Sequence, residues 1–278
     1  MKYKIGKDFI EIVGKEDFNI EHTLECGQVF SYEKKENYFV YSADKMAEVI
    51  ENKNGFLIKT NDTTYFENYF DLKTDYAKIK KHLSNYDILR EPVRYGYGIR
   101  ILRQDLFETL ISFIVSANNN IKRIKAILFK LRQMCGTKKD GFYAFPTREQ
   151  LLRVSEEDLK GIGAGYRAKY IYEVVRQIDD KTLHKWKDLD TLALRKQLMT
   201  LMGVGPKVAD CIMLFGYGRG DVFPVDTWIH QMYEKYYSEC KNRERIRQNL
   251  TKEFGQMSGY AQQYLFYFMR ADENEKNS

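Results

Sequence analysis

One stretch of the 278-residue chain combines residue types that could do covalent chemistry: Leu201-Met202-Gly203-Val204-Gly205-Pro206-Lys207-Val208-Ala209-Asp210-Cys211. A helical run at 192–199 precedes it. Two glycines one residue apart permit a tight turn with positive φ. Pro206 suits the first helical position, where its missing N–H costs nothing. The pattern predicts a helix, a glycine hairpin and a second helix. Gly203 and Gly205 then leave backbone amides beside a helix N-terminus, which suits a phosphate group, although such a turn also serves as a plain connector. Lys207 falls in the first turn of the second helix, where the positive end of the macrodipole disfavours another cation. That placement suits an amine that must shed its proton to act as a nucleophile; a solvated lysine touching phosphate is the alternative. Nineteen positions on, Phe223-Pro224-Val225-Asp226-Thr227-Trp228 puts Asp226 where it can cap the next helix. A capping carboxylate stays ionised and is held rigidly, as an anion facing a cation developing on a sugar carbon must be.

The elements that must position these groups fall into two stretches. Residues 9–13, 28–32, 38–41 and 55–59 are short, aromatic or β-branched, and separated by Lys, Glu, Asn and Gly turns, so they read as antiparallel strands. Beyond about residue 63 the apolar period becomes helical: Phe107, Leu110, Ile111, Ile114 and Val115, then Ile121, Ile124, Ile127, Leu128 and Leu131. Ser155 followed by Glu156, Glu157 and Asp158 reads as a capped helix start. The expected class is α+β. An N-terminal antiparallel β domain covers 1–62 and a helical region covers 63–278, with the helix–hairpin–helix at about 192–216.

Composition narrows the chemistry. Cysteines at 26, 135, 211 and 240 form no Cys-x-x-Cys pair, and the four histidines show no paired spacing. A disulfide framework, a zinc site and an iron–sulfur site are therefore not expected, and neither is any cofactor. The net charge of +6 is compatible with a polyanionic partner. The 21 tyrosines and 17 phenylalanines offer stacking faces for bases, though most such rings fill cores. With no signal-like start and no run long enough to span a membrane, a cytoplasmic monomer, nucleoid-associated if prokaryotic, is the expectation.

The hairpin, Lys207 and the Val225-Asp226 element resemble the helix–hairpin–helix DNA glycosylase superfamily, and the wider chain resembles its 8-oxoguanine DNA glycosylase branch. The likeness runs through Leu24-Glu25-Cys26-Gly27-Gln28-Val29-Phe30, Tyr69-Phe70-Asp71-Leu72 and Gly98-Ile99-Arg100-Ile101-Leu102-Arg103-Gln104-Asp105. It continues in Ser116-Ala117-Asn118-Asn119-Asn120-Ile121, Gly165-Tyr166-Arg167-Ala168 and Gly259-Tyr260-Ala261-Gln262. The resemblance implies excision of 8-oxoguanine, flipped from double-stranded DNA and preferably opposite cytosine. It implies that Lys207 attacks C1′ and forms a Schiff base that permits β-elimination, and that Asp226 stabilises the oxocarbenium-like transition state. It also implies that the Gly27 carbonyl accepts the N7–H of the oxidised base, that Gln262 bonds its Watson–Crick edge, and that Cys211 and Phe266 hold its faces. Without the resemblance, Gly27 reads as a strand bulge, Gln262 as a helix-surface residue, and Cys211 and Phe266 as core.

A second set follows from the same likeness: Asn118 fills the hole left by the flipped base, Tyr166 wedges the opposite strand, and Arg123 and Arg167 read the estranged cytosine. Two guanidinium groups offer donors to cytosine O2 and N3. Arg123 reads equally as a phosphate contact. One departure stands out: Trp228 occupies the place where the family's animal members carry a histidine. Relatives acting on oxidised pyrimidines or mispaired adenine carry a four-cysteine cluster near the C-terminus, where this chain has only Cys240. Alkylation-repair relatives lack the hairpin lysine. A non-catalytic phosphate clamp would account for the glycines but not for Lys207 with Asp226.

Overall fold

The computed structural model describes residues 1–276, with side chains to Ala271. Six strands form one antiparallel sheet: β1 Lys2–Ile5, β2 Phe9–Val13, β3 Tyr32–Lys34, β4 Tyr38–Ser42, β5 Lys45–Asn52 and β6 Gly55–Lys59, in the order β1-β2-β6-β5-β4-β3. Ile10 pairs with Ile58 and Ile12 with Phe56. All four are at most 1% exposed, so period-two alternation turns one face inward. That face packs with Phe18, Leu24, Phe66, Tyr69 and Phe70 into a first core. The chain changes from strand to helix between Lys59 and Thr63, as its sequence predicts.

Three details differ from that prediction. β1 and β5 were not expected, because Lys-rich β1 and the Met-Ala-Glu content of β5 are poor strand signals. A helix, Ile20–Glu25, lies between strands, capped by Asn19. The expected strand at 28–32 survives only at Tyr32. Gly27 turns the chain with φ +81°, and the fully buried Gln28 bonds by its side chain instead. Its Nε2 donates to Thr23 O (2.8 Å) and Arg100 O (2.7 Å), while its Oε1 accepts from Leu102 N (2.8 Å).

The helical part surrounds Leu106–Ser116, which is apolar on nearly every side because it packs on Ile121–Cys135, Arg167–Gln177 and Pro206–Phe215. Ser155 caps Glu156–Gly161 in a full capping box with Asp158, as expected. A second helical core gathers Tyr76, Leu89, Phe223 and Ile229 around the C-terminal helix Ser258–Lys276. Arg100, fully buried, bonds the carbonyls of Phe70 (2.9 Å), Asp17 (2.9 Å) and Thr74 (3.0 Å), with its guanidinium 4.0 Å from the Tyr76 ring centroid. It joins the sheet to that second core.

Candidate active site

The hairpin forms where its sequence places it. Asp190 caps Thr191–Leu198 through a 2.8 Å bond from Ala193 N, and Pro206 opens Pro206–Phe215. Gly203 has φ +83°, and a Cβ there would meet Tyr170 Cβ at 2.7 Å, so both backbone sterics and space demand glycine. Gly205 does not share that positive φ. It is extended (φ −86°, ψ 178°) and caps the helix with no side-chain bond, leaving first-turn amides for an outside acceptor such as a phosphate.

Lys207, in the first turn, is half-buried, with Nζ 5.5 Å from the Phe113 ring centroid. Phe113 is in turn stacked on Phe215 at 5.4 Å. Asp226 caps Thr227–Tyr236, accepting from Ile229 N at 2.9 Å. Burial raises the Asp226 carboxyl above its ordinary range, while the Ile229 amide and the Lys207 charge pull it down. Burial likewise pushes the Cys211 thiol up to about 11, against the charge and hydrogen bond of Lys207. The lysine therefore acts on both its neighbours: a carboxylate reluctant to stay charged without a cation, and a neutral thiol one turn along the helix. Trp228 lies in the first turn after Asp226.

The residues expected to hold the base come from the two ends of the chain. A Cβ on Gly27 would stand 2.8 Å from Phe266 Cε1 and 3.3 Å from Arg270 Nη1, so the backbone at Gly27 lies directly against that ring. Gln263 Nε2 donates to Cys26 O at 2.6 Å, and Arg270 Nη2 donates to Glu25 O. Gln262 is 5% exposed, not a helix-surface residue, and its Oε1 is buried without a hydrogen-bond partner. A buried, unanswered acceptor at this place is ready for a donor from outside the chain.

The second set also comes together. Asn118 has φ +48°. Arg167, 3% exposed, donates from Nε to Ala117 O (2.8 Å) and from Nη2 to Asn118 O (2.7 Å). Tyr166, 51% exposed, donates to the same Ala117 carbonyl at 3.2 Å and lies 4.4 Å from the Arg167 guanidinium. Arg123 donates to Gly163 O at 3.2 Å and is otherwise exposed. Arg167 thus holds the Asn118 turn by its backbone, with two of its nitrogens already committed. Sequence reasoning missed Gln28, Arg100, Gln263 and Arg270, whose roles depend on carbonyls remote in the chain. Among the described residues, no group of three or more His, Cys, Asp or Glu could hold a metal.

Residues 12–110 match the 8-oxoguanine DNA glycosylase N-terminal domain, and residues 111–256 match the HhH-GPD superfamily of base excision DNA repair proteins. A Saccharomyces cerevisiae N-glycosylase/DNA lyase is 31% identical over 91% of this chain and 76% of its own length. An Arabidopsis thaliana N-glycosylase/DNA lyase is 36% identical over 63% of this chain and 53% of its own. The crystal structure of Clostridium acetobutylicum 8-oxoguanine glycosylase/lyase, in complex with double-stranded DNA containing cytosine opposite 8-oxoguanine, superimposes with a TM-score of 0.92. It is 37% identical, covering 98% of this chain and 99% of that one. With a half-buried lysine in the first turn after a glycine hairpin, an aspartate capping the next helix and a glycine pressed against an aromatic ring, the chain belongs to the 8-oxoguanine DNA glycosylase family of the helix–hairpin–helix superfamily.

Proposed function

We propose that Lys207 is the nucleophile and Asp226 the electrostatic partner by which this DNA N-glycosylase/lyase removes 8-oxoguanine. The damaged nucleotide must leave the stack, because its glycosidic carbon is out of reach inside the duplex. The Lys207 amine attacks C1′ as the C1′–N9 electrons depart with the base. Ring opening gives an imine between Nζ and C1′, which acidifies C2′. Loss of a C2′ proton then expels the 3′ phosphate by β-elimination. Asp226 faces the positive charge that grows on the sugar before the new bond is complete. Its cap bond to Ile229 N holds that charge at a fixed point.

The base is read on the other side. The Gly27 carbonyl accepts the N7–H that oxidation adds to guanine, Gln262 Oε1 accepts from the Watson–Crick edge, and Phe266 and Cys211 cover the two faces. Asn118 and Tyr166 occupy the gap and wedge the partner strand. Arg123, with most of its donors open, and Arg167, once released from the turn, favour cytosine there. Gly203 and Gly205 bring hairpin amides to the DNA backbone. The enzyme works as a monomer beside DNA in the cytoplasm. Among the described residues, no helix is long and apolar enough to cross a membrane.

One observation carries this reading: Lys207 stands half-buried in the first turn after the hairpin, its Nζ 5.5 Å from the Phe113 ring centroid, while the Asp226 carboxylate is fixed as the cap of the next helix. Borohydride trapping on an 8-oxoguanine·cytosine duplex, beside undamaged G·C duplex, tests it. The wild type is expected to form a covalent adduct with the lesion only, and Lys207→Gln none, while the variant still binds the lesion duplex. Adduct formation by Lys207→Gln would assign the nucleophile elsewhere.

A further inference from the structure

A cavity of about 800 Å³ lies between the sheet edge, the Ile121–Cys135 helix and the segment at 138–143, and no catalytic or base-side residue lines it. Its walls are aromatic and cationic. Tyr32 stands on β3 and Tyr41 on β4, and Tyr41 stacks on Phe142 with centroids 5.4 Å apart. Lys125, Phe129 and Arg132 share one helix face at i, i+4 and i+7. Phe129 is 52% exposed there, a large ring left open to solvent on an otherwise amphipathic helix. The Lys125 ammonium sits 3.6 Å over the Tyr32 ring centroid, and burial draws it below the usual lysine range.

Arg132 also lines the cavity, but it is 5% exposed, pairs through Nη2 with Glu108 at 2.5 Å and keeps its Nε fully buried, so its charge is spent inside the protein. Lys138 and Lys139 stand at the rim, Lys139 against Asp44 at 3.4 Å, and Glu33 is the one carboxylate in the lining. With Arg132 paired to Glu108 and Lys139 to Asp44, Lys125 and Lys138 are left to meet an anion among stacking rings, which matches a planar aromatic ligand that carries one.

We infer that this cavity binds a nucleotide: its base enters between the Tyr41–Phe142 pair and Phe129, and its phosphate meets Lys125 and Lys138. Two sources supply that chemistry, a free mononucleotide or a nucleotide of a single strand leaving the bound duplex. The second is within reach because the same helix begins near Arg123, the residue proposed above to face the partner strand. Arg132 lies about 14 Å further along its axis.

Calorimetric titration with deoxyadenosine monophosphate, deoxyadenosine and inorganic phosphate tests this, on free enzyme and on enzyme saturated with blunt G·C duplex. The nucleotide is expected to bind one to one in both states, and more tightly than either of its parts. Lys125→Gln and, separately, Phe142→Ala should each weaken it about tenfold, with excision from a blunt lesion duplex unchanged. If the mononucleotide fails to bind but a single-stranded tail tightens duplex binding, and Lys125→Gln removes that gain, the site stands and the strand is its source. If the nucleotide is displaced by blunt duplex, binds equally well to both variants, or fails together with the tail, the inference is overturned.

Discussion

The two halves of the site are built at different ranges along the chain. Lys207, Cys211 and Asp226 lie within twenty residues, and each is placed by a local device: a left-handed glycine, a proline at the first helical position, a capping carboxylate. The base side depends on contacts spanning most of the molecule, with Gln263 reaching Cys26 across 237 positions and Arg270 reaching Glu25 across 245. A local device can be changed without touching the fold elsewhere. A long-range closure couples recognition to stability, so substitutions there should alter both. The predictions below aim at that difference.

The largest effect is expected at Asp226. Asparagine caps a helix about as well as aspartate, so Asp226→Asn keeps the start of Thr227–Tyr236 and removes only the charge. Single-turnover excision should fall about 10²–10³-fold, with the melting temperature held. The pH profile sharpens the test. Burial raises the Asp226 carboxyl, so as pH falls it takes up a proton at a higher pH than an ordinary carboxylate, and excision fades with it. The wild-type acid limb should therefore lie above the ordinary carboxylate range and vanish in Asp226→Asn. An unchanged acid limb in the variant would assign it to another group.

Gly27→Ala comes next and should affect both fold and activity. At φ +81° an L-residue costs about 1–2 kcal/mol. The new Cβ would also stand 2.8 Å from Phe266 Cε1, so the ring proposed to cover the base must move. A lowered melting temperature and about a 10²-fold loss of excision are expected. A melting temperature equal to that of the wild type would mean that the Gly27 turn relaxes freely and is not closed by the C-terminal helix.

The same division decided what was legible in the sequence. The hairpin could be read from residues alone, because the propensities that form it act within a few positions. The antiparallel sheet was legible where β-branched residues alternate, as in β2 and β6, and not in β5, which is held by its neighbours on both sides rather than by its own composition. Gly27 had no chemical signal of its own: a glycine among apolar residues reads as a bulge, and only resemblance gave it a role. Arg167 shows the opposite limit. The resemblance implies a guanidinium that faces the estranged cytosine, but Nε and Nη2 of Arg167 are bonded to Ala117 O and Asn118 O, and nothing in the spacing from Asn118 to Arg167 reveals that the two segments touch.

The smallest effects should come from the adjacent pair Gln262 and Gln263, which separates recognition from closure within a single helix turn. Both are at most 5% exposed. Gln263 has its partner in Cys26 O, whereas Gln262 Oε1 has none. Gln263→Leu leaves the Cys26 carbonyl unanswered inside the protein, at a cost of about 1–3 kcal/mol, so thermal melting should drop. Gln262→Leu removes an acceptor that is unsatisfied in the free protein, so melting should hold or rise. Its loss appears only when the base is bound, as about a tenfold slower excision of 8-oxoguanine. If Gln262→Leu lowers the melting temperature as much as Gln263→Leu does, its side chain is part of the closure and not an acceptor waiting for the base.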